Sequence, residues 1–252
     1  MIKKDKLSII IPAYNEEENI IPTVSQIVPF LKQDKIPFEI VIVNDNSKDK
    51  TPEKVKELQK SYPEVKLVSR TAPGGFGRAI RTGLENFTGD VVVIVMADLS
   101  DDPEDIVRYY NKIQEGYDCV FGSRFRNGSV VKEYPIVKYY VNRIVNSFLQ
   151  LLFLTRHNDL TNAFKAYRAS VIKNIHPLHA CHFNITIELS LSALIRDYKI
   201  ASIPINWYGR KWGQSNLKLR AMGRRYLATL LKIWFERLLI LDDLLAEKSD
   251  IK

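Results

Sequence analysis

The run VVVIVMADLSDDPED, residues 91–105, leads six apolar residues into Asp98, Asp101, Asp102, Glu104 and Asp105. Carboxylates crowded at the end of a buried strand repel one another unless positive charge or water offsets them. Two chemistries meet that demand. One is a divalent cation held by one or two of the acids. The other is a solvated helix start whose acids cap free N–H groups. Polar residues recur at comparable places: Tyr14, Asn15 and Glu16 after LSIIIPA, Asn44, Asp45 and Asn46 around the end of FEIVIVND, and Ser123 and Arg124 near the end of DCVFGSRF.

These groups need elements to position them. Apolar runs at 7–13, 38–45, 65–70, 90–98 and 118–125 read as strands. Helical patterns fill 17–33, 47–63, 75–87 and 102–116, the first weakened by Pro22 and Pro29. Strands that are continuously apolar and separated by helices predict a mainly parallel sheet covered on both faces. Ligands bind such sheets at the carboxyl ends of the strands, where the unusual residues fall.

The chain has 252 residues, 46% hydrophobic and 26% charged, enough for one substantial core in one or two domains. The start, MIKKDKLSIIIPAY, stops being apolar at Pro12 and reads as a first strand, not a signal peptide. Two cysteines, Cys119 and Cys181, form no spaced motif and suit a reducing compartment. No run reaches the length needed to span a bilayer. The net charge of +8 favours an anionic partner, and residues 206–225 carry Arg210, Lys211, Lys218, Arg220, Arg224 and Arg225 with no acid. HPLHACH, with His176, His179, Cys181 and His182, has zinc-ligand residue types but no second ligand pair, so loop packing is the better reading.

PGGFGRAI offers Gly75 and Gly77 but Ile80 where a dinucleotide fingerprint needs a third glycine, and it follows the third strand. Its glycines suit tight helix entry and close approach of backbone N–H groups to an anion. The ordered set IIIPAYNEEENI, IVIVNDNSKDKT, GGFGRAIRTGL, VVVIVMADLSDDPEDI, FGSRF, NDLTNAFKAYR and NWYGRKWGQSNLKL resembles family 2 glycosyltransferases. The resemblance is greatest to dolichol-phosphate mannose synthases and other polyprenyl-phosphate glycosyltransferases, over roughly residues 7–219. It implies a GT-A fold, Rossmann-like and α/β, a nucleotide-diphosphate sugar donor, Mg²⁺ or Mn²⁺, and a polyprenyl or dolichyl monophosphate acceptor. Three positions depart from the pattern. Met96 replaces the first acid of Asp-x-Asp, Asn44 the first of two aspartates, and Asn216 the lysine after Gly213-Gln214-Ser215.

The resemblance assigns the cation to Asp98, with Asp101 or Asp102 as candidate helpers; helix capping is the competing role for those two. Pro12, Ala13, Tyr14, Glu16 and Asp45 look like the nucleoside pocket, and Ala97 adjoins it. Arg78 is a candidate phosphate contact or an exposed helix cation. Arg124 matches the arginine of Gly-Ser-Arg; Lys138 and Asn142, one helical turn apart, match acceptor-phosphate positions. Arg210 is a further phosphate ligand. Asp98, Arg124, Lys138 and Arg210 are thus the catalytic set. Asp159 orients the sugar or its loop, or caps at Thr161. No Ser/His/Asp nucleophile set is apparent. A phosphate monoester, with a second pKa near 6, is already an oxyanion nucleophile, so positioning and charge neutralisation suffice for direct, inverting attack.

Residues 136–155 and 220–252 have apolar stripes beside polar ones and read as amphipathic helices lying in a membrane interface, the second as an extension beyond a 1–219 catalytic domain. Packing on the domain or a dimer contact is the alternative. The expected location is the cytoplasmic face of a membrane. Many relatives continue into transmembrane helices; without them, a small membrane-protein partner, or basic residues and the lipid tail, would hold the chain there. Mannose from GDP-mannose is the expected donor. A UDP-sugar donor, a saccharide or protein acceptor, and a non-catalytic basic module using Tyr208 and Trp212 are the rivals. No nucleic-acid-binding motif appears.

Overall fold

A computed structural model describes residues 4–210, 212 and 219–250, with side chains through 223–241 in the last segment. Lys211, Lys218 and the Gly213-Gln214-Ser215-Asn216 motif lie outside the described residues. Seven strands form one sheet in the order β3-β2-β1-β4-β6-β5-β7. They are β1 (Leu7–Ala13), β2 (Phe38–Asn44), β3 (Val65–Ser69), β4 (Val91–Ile94), β5 (Cys119–Ser123), β6 (Lys165–Arg168) and β7 (Ile200–Pro204). The helices are α1 (Ile20–Gln33), α2 (Thr51–Ser61), α3 (Phe76–Asn86), α4 (Pro103–Gln114), α5 (Ile136–Phe153), α6 (Ala169–Asn174), α7 (Ile185–Leu194) and α8 (Leu219–Asp250).

The parallel α/β expectation holds, with one exception. β6 runs antiparallel to both β4 and β5. It has four residues, Lys165-Ala-Tyr-Arg, and its two cations hide the strand pattern. Period-two alternation explains why the other strands read as continuous apolar runs. Ile9 and Ile11 of β1 pack with α1 and α4 on one face, while Ile10 packs with α3 on the other. Both faces are buried.

β4 ends at Ile94, four residues before the expected end. The Met96 N–H donates to the Asp101 side chain at 2.9 Å, and Leu99 has φ of 62°. The chain therefore turns at residues 97–99, around Asp98. The acids that follow are separately accounted for: Asp102 caps α4 through the Glu104 N–H at 3.1 Å, with Pro103 at the first turn, and Asp105 pairs with Arg108.

α8 packs on the body. Ile233 is fully buried, Thr229 bonds Asn184 at 2.9 Å, Lys232 pairs with Glu188 at 2.9 Å, and Arg196 pairs with Glu236 at 2.6 Å. Among the described residues no helix is long and apolar enough to cross a membrane.

Candidate active site

Three strands deliver their polar ends to one edge of the sheet through left-handed residues. Asn15 after β1, Asn46 after β2 and Leu99 after β4 have φ of 55°, 64° and 62°. Asparagine tolerates this conformation; leucine pays roughly 1–2 kcal/mol for it. The Asn15 side chain accepts from the Lys48 N–H at 2.8 Å, tying the first two turns together. A cavity of about 470 Å³ opens where they meet. Pro12, Ala13, Tyr14, Glu16 and Asp45, the residues that the sequence grouped together, line it with Phe76, His182, Arg210 and Arg225.

The glycine-rich turn serves this cavity differently from expectation. The Gly75 N–H does meet an anion, but that anion is the Asp45 carboxylate, at 2.5 Å. Arg70 pairs with the other Asp45 oxygen. A Cβ on Gly75 would lie 2.4 Å from the Cys181 carbonyl oxygen, and one on Gly77 2.6 Å from that of Ala180. The glycines thus let the HPLHACH loop close over α3. That loop is held from beneath by buried Glu188, which accepts from the N–H groups of His179 and Ala180 at 3.0 and 2.7 Å. Arg78 folds back on the Gly74 carbonyl at 3.0 Å and does not line the cavity. Ala97 is buried, and its carbonyl accepts from Thr23 at 3.0 Å.

Asp98 is 5% exposed. One carboxylate oxygen pairs with Arg210 at 2.7 Å, and the other accepts from the Ser100 N–H at 3.2 Å. Asp101 accepts from the Met96 N–H at 2.9 Å. Burial pushes its pKa up to about 8 against that hydrogen bond. Asp102 is occupied as a cap. Met96 supplies no acid. Among the described residues no group of three His, Cys, Asp or Glu could hold a metal. The donor set fits Mg²⁺ or Mn²⁺ in one way, with Asp98 as the protein carboxylate and phosphate oxygens supplying other ligands, a mode Mg²⁺ commonly uses. Burial, reinforced by nearby Asp98, raises the Glu16 pKa.

A second cavity, of about 440 Å³, shares Phe76, Met96, Phe183 and Arg210 with the first. Asp98, Arg124, Lys138 and Asn142 line its polar end; Val141, Val145, Phe148 and Leu149 of α5 and Tyr226, Leu227 and Leu230 of α8 form apolar walls. Arg124 is 9% exposed and meets Asp159 through Nε at 2.8 Å and Nη2 at 2.7 Å. Burial opposes its charge, and Asp159 overrides that, holding its pKa above the ordinary value. Asp159 thus orients Arg124. Arg124 Nη1 donates to the Tyr134 hydroxyl at 3.2 Å, Asn142 donates to the same hydroxyl, and Lys138 Nζ lies 5.7 Å from the Tyr134 ring centroid. Tyr134 is the hub the sequence reading missed; nothing in its spacing marks it. Burial, then the charges of Arg124 and Arg210, lower the Lys138 pKa.

The geometry brings Asp98, Arg124, Lys138, Asn142 and Arg210 to one cavity, and Pro12, Ala13, Tyr14, Glu16 and Asp45 to its neighbour. Arg210 belongs to both.

The model of glycosyl transferase family 2 matches residues 8–175. A dolichol-phosphate mannosyltransferase of Pyrococcus furiosus is 33% identical over 215 residues, covering 84% of this chain and 59% of that protein. The chain therefore spans less than two thirds of that relative. A polyprenol monophosphomannose synthase of Mycolicibacterium smegmatis is 27% identical over 215 residues, covering 83% of this chain and 80% of that one. Glucosyl-3-phosphoglycerate synthase from Mycobacterium tuberculosis, in complex with Mn²⁺, UDP-glucose and phosphoglyceric acid, has the same fold. It gives a TM-score of 0.68 at 21% identity, over 91% of this chain and 80% of that one.

Proposed function

This chain belongs to glycosyl transferase family 2, and we propose that it transfers mannose from GDP-mannose to a polyprenyl or dolichyl monophosphate at the cytoplasmic face of a membrane. The observation that carries the acceptor is the second cavity. It has cations at the end that adjoins the nucleotide cavity and apolar walls between α5 and α8. A phosphate headgroup with a hydrocarbon tail matches that polarity. The Pyrococcus dolichol-phosphate mannosyltransferase and the Mycolicibacterium polyprenol monophosphomannose synthase support both the sugar and the lipid class.

In this reading the acceptor phosphate needs no protein nucleophile. It enters mostly as a dianion at neutral pH, given a second pKa near 6. Lys138, Arg210 and the N–H groups that Asp159 and Tyr134 leave on Arg124 take its oxygens and hold one of them toward the anomeric carbon. A bound dianion would also raise the Lys138 pKa by offsetting Arg124 and Arg210. Direct attack inverts the anomeric centre, and the nucleoside diphosphate leaves into the first cavity, where Arg210 also reaches. When bound, Mg²⁺ or Mn²⁺ held by Asp98 would supply charge neutralisation on the diphosphate. Ile144, Leu151 and Leu239, which are 69%, 74% and 72% exposed, belong to the apolar surface of α5 and α8 that would enter the membrane interface, either alone or beside a small membrane-protein partner.

The test incubates purified protein with Mg²⁺ or Mn²⁺, radiolabelled GDP-mannose or UDP-glucose, and a short polyprenyl phosphate, followed by organic extraction. Label from GDP-mannose enters the organic phase. Label from UDP-glucose alone would change the sugar and keep the acceptor. No lipid-phase label from either donor would overturn the proposal.

A further inference from the structure

α8 does more than wall the lipid cavity. Arg225, one residue before the lipid-cavity residue Tyr226, lines the nucleotide cavity instead. The helix is fixed in rotation at this point. The Tyr226 hydroxyl donates to the Phe183 carbonyl at 3.2 Å, and Thr229 and Lys232 bond Asn184 and Glu188, each at 2.9 Å. These contacts lie three residues apart, along one face of the helix. They set Arg225 beside the loop that carries His182.

The charge pattern of the cavity gives this placement a meaning. Its lining includes two carboxylates, Glu16 and Asp45, and two guanidinium groups, Arg210 and Arg225, with His182 nearby. The two guanidinium groups reach the cavity from residue 210 and from α8. Asp98 offsets Arg210. Burial, then Arg225 and Arg78, lower the His182 pKa, which disfavours a further charge beside the two arginines. Arginine suits a phosphate oxygen pair better than any other side chain.

We propose that Arg225 is a ligand of the donor's diphosphate, so that the helix whose apolar side walls the acceptor cavity also completes the donor cavity. The inference rests on the nucleotide-sugar reading of the first cavity. It makes α8 part of the donor site, because Arg225 faces the diphosphate while Tyr226, Leu227 and Leu230 face the lipid. Displacing α8 then alters both sites together.

The test titrates GDP and UDP, each with Mg²⁺, into the full chain by calorimetry. Four proteins are compared: the natural chain, Arg225→Ala, Arg225→Lys, and Arg224→Ala. Arg224 is exposed and lines neither cavity, so it reports the general surface charge. Arg225→Ala is expected to weaken the bound diphosphate about tenfold, as the loss of one charge-assisted phosphate contact does. Arg225→Lys keeps the charge without the planar fork and falls between. Arg224→Ala leaves affinity unchanged. Equal affinity in Arg225→Ala and the natural chain would overturn the inference while leaving the proposed activity standing. So would an equal loss in Arg224→Ala, since that would be a field effect. If neither diphosphate binds the natural chain, the nucleotide-sugar reading falls and takes the inference with it.

Discussion

Arg124 carries two roles that one substitution cannot separate, and a pair of substitutions can. Its guanidinium and the Asp159 carboxylate are 7% and 1% exposed and meet in a two-pronged ion pair. Asp159 also accepts from the Arg124 backbone N–H at 3.0 Å. Neutralising either partner leaves the other charged, buried and uncompensated, which costs about 3–5 kcal/mol. For a chain of this size that lowers the melting temperature by roughly 10 °C. Arg124→Gln and Asp159→Asn should each show this loss in urea or thermal unfolding followed by circular dichroism. The double variant removes both charges and keeps an acceptor for the backbone N–H. It should recover to within about 2 kcal/mol of the natural chain, because the desolvation penalty goes with the charges.

Activity then reads the second role. A guanidinium has five N–H donors. Three of those on Arg124 meet Asp159 and Tyr134, leaving two without a partner among the described residues. If those hold the acceptor phosphate, the refolded double variant has a KM for polyprenyl phosphate raised about tenfold or more, with the donor KM unchanged. A double variant as unstable as the worse single one would refute the ion-pair argument. A stable double variant with a normal acceptor KM would refute the phosphate role.

Three further outcomes follow from the same geometry. Gly77→Ala drives a methyl into the Ala180 and His182 carbonyls, which lie 2.6 and 2.7 Å from the new Cβ. It should cost about 1–3 kcal/mol and raise the donor KM more than the acceptor KM in the extraction assay. Lys165 donates to the Leu160 and Asn162 carbonyls, and burial, partly offset by Asp159, lowers its pKa from 10.5 to about 7. Between those values the unfolded chain binds the extra proton, so stability should rise with pH by up to about 1.4 kcal/mol per unit. Urea titrations from pH 7 to 9.5 should show this contribution disappear in Lys165→Met. Ile144→Glu with Leu239→Glu charges exposed positions on α5 and α8. It should leave the melting temperature within 2–4 °C, about 1 kcal/mol, and abolish co-flotation with anionic lipid vesicles; unchanged flotation would remove the interfacial reading.

The parallel half of the fold was readable because burial on both faces writes itself as unbroken runs such as IVIV of β2 and VVVI of β4. β6 and β7 were not read. β6 places Lys165 in the core, where two carbonyls satisfy its ammonium, and β7 has five residues with an intermittent pattern of burial. No local pattern announces a strand whose cation is bonded by a loop earlier in its own chain. The end of β4 was misplaced for a related reason. The Met96 N–H bonds a side chain instead of a neighbouring strand, and Leu99 turns left-handed. Both depend on Asp101 being buried, a property that its charge in the sequence argues against.

The same limit governs the site. Residue type and strand position were enough to place Asp98, Asp45 and Arg124 at one edge, since each follows a strand whose identity was clear. They could not tell which acids are already spent. Asp159, Asp102 and Asp105 are engaged within the protein, and Asp101 accepts from the Met96 N–H, leaving the Asp98–Arg210 pair at the junction of both cavities. Helix α5 buries polar residues beside its buried Leu149 and Phe153 for a comparable reason. Lys138, Asn142 and Asn146 turn inward, the first two to the cavity and the third to bond the 160–161 backbone, while Ile136, Ile144 and Leu151 stay exposed. A stripe of polar residues on a helix says that one side meets polar partners; it does not say whether those partners are water or the floor of a binding site. Tyr134 and Asp159 settle that here, and neither lies on the helix.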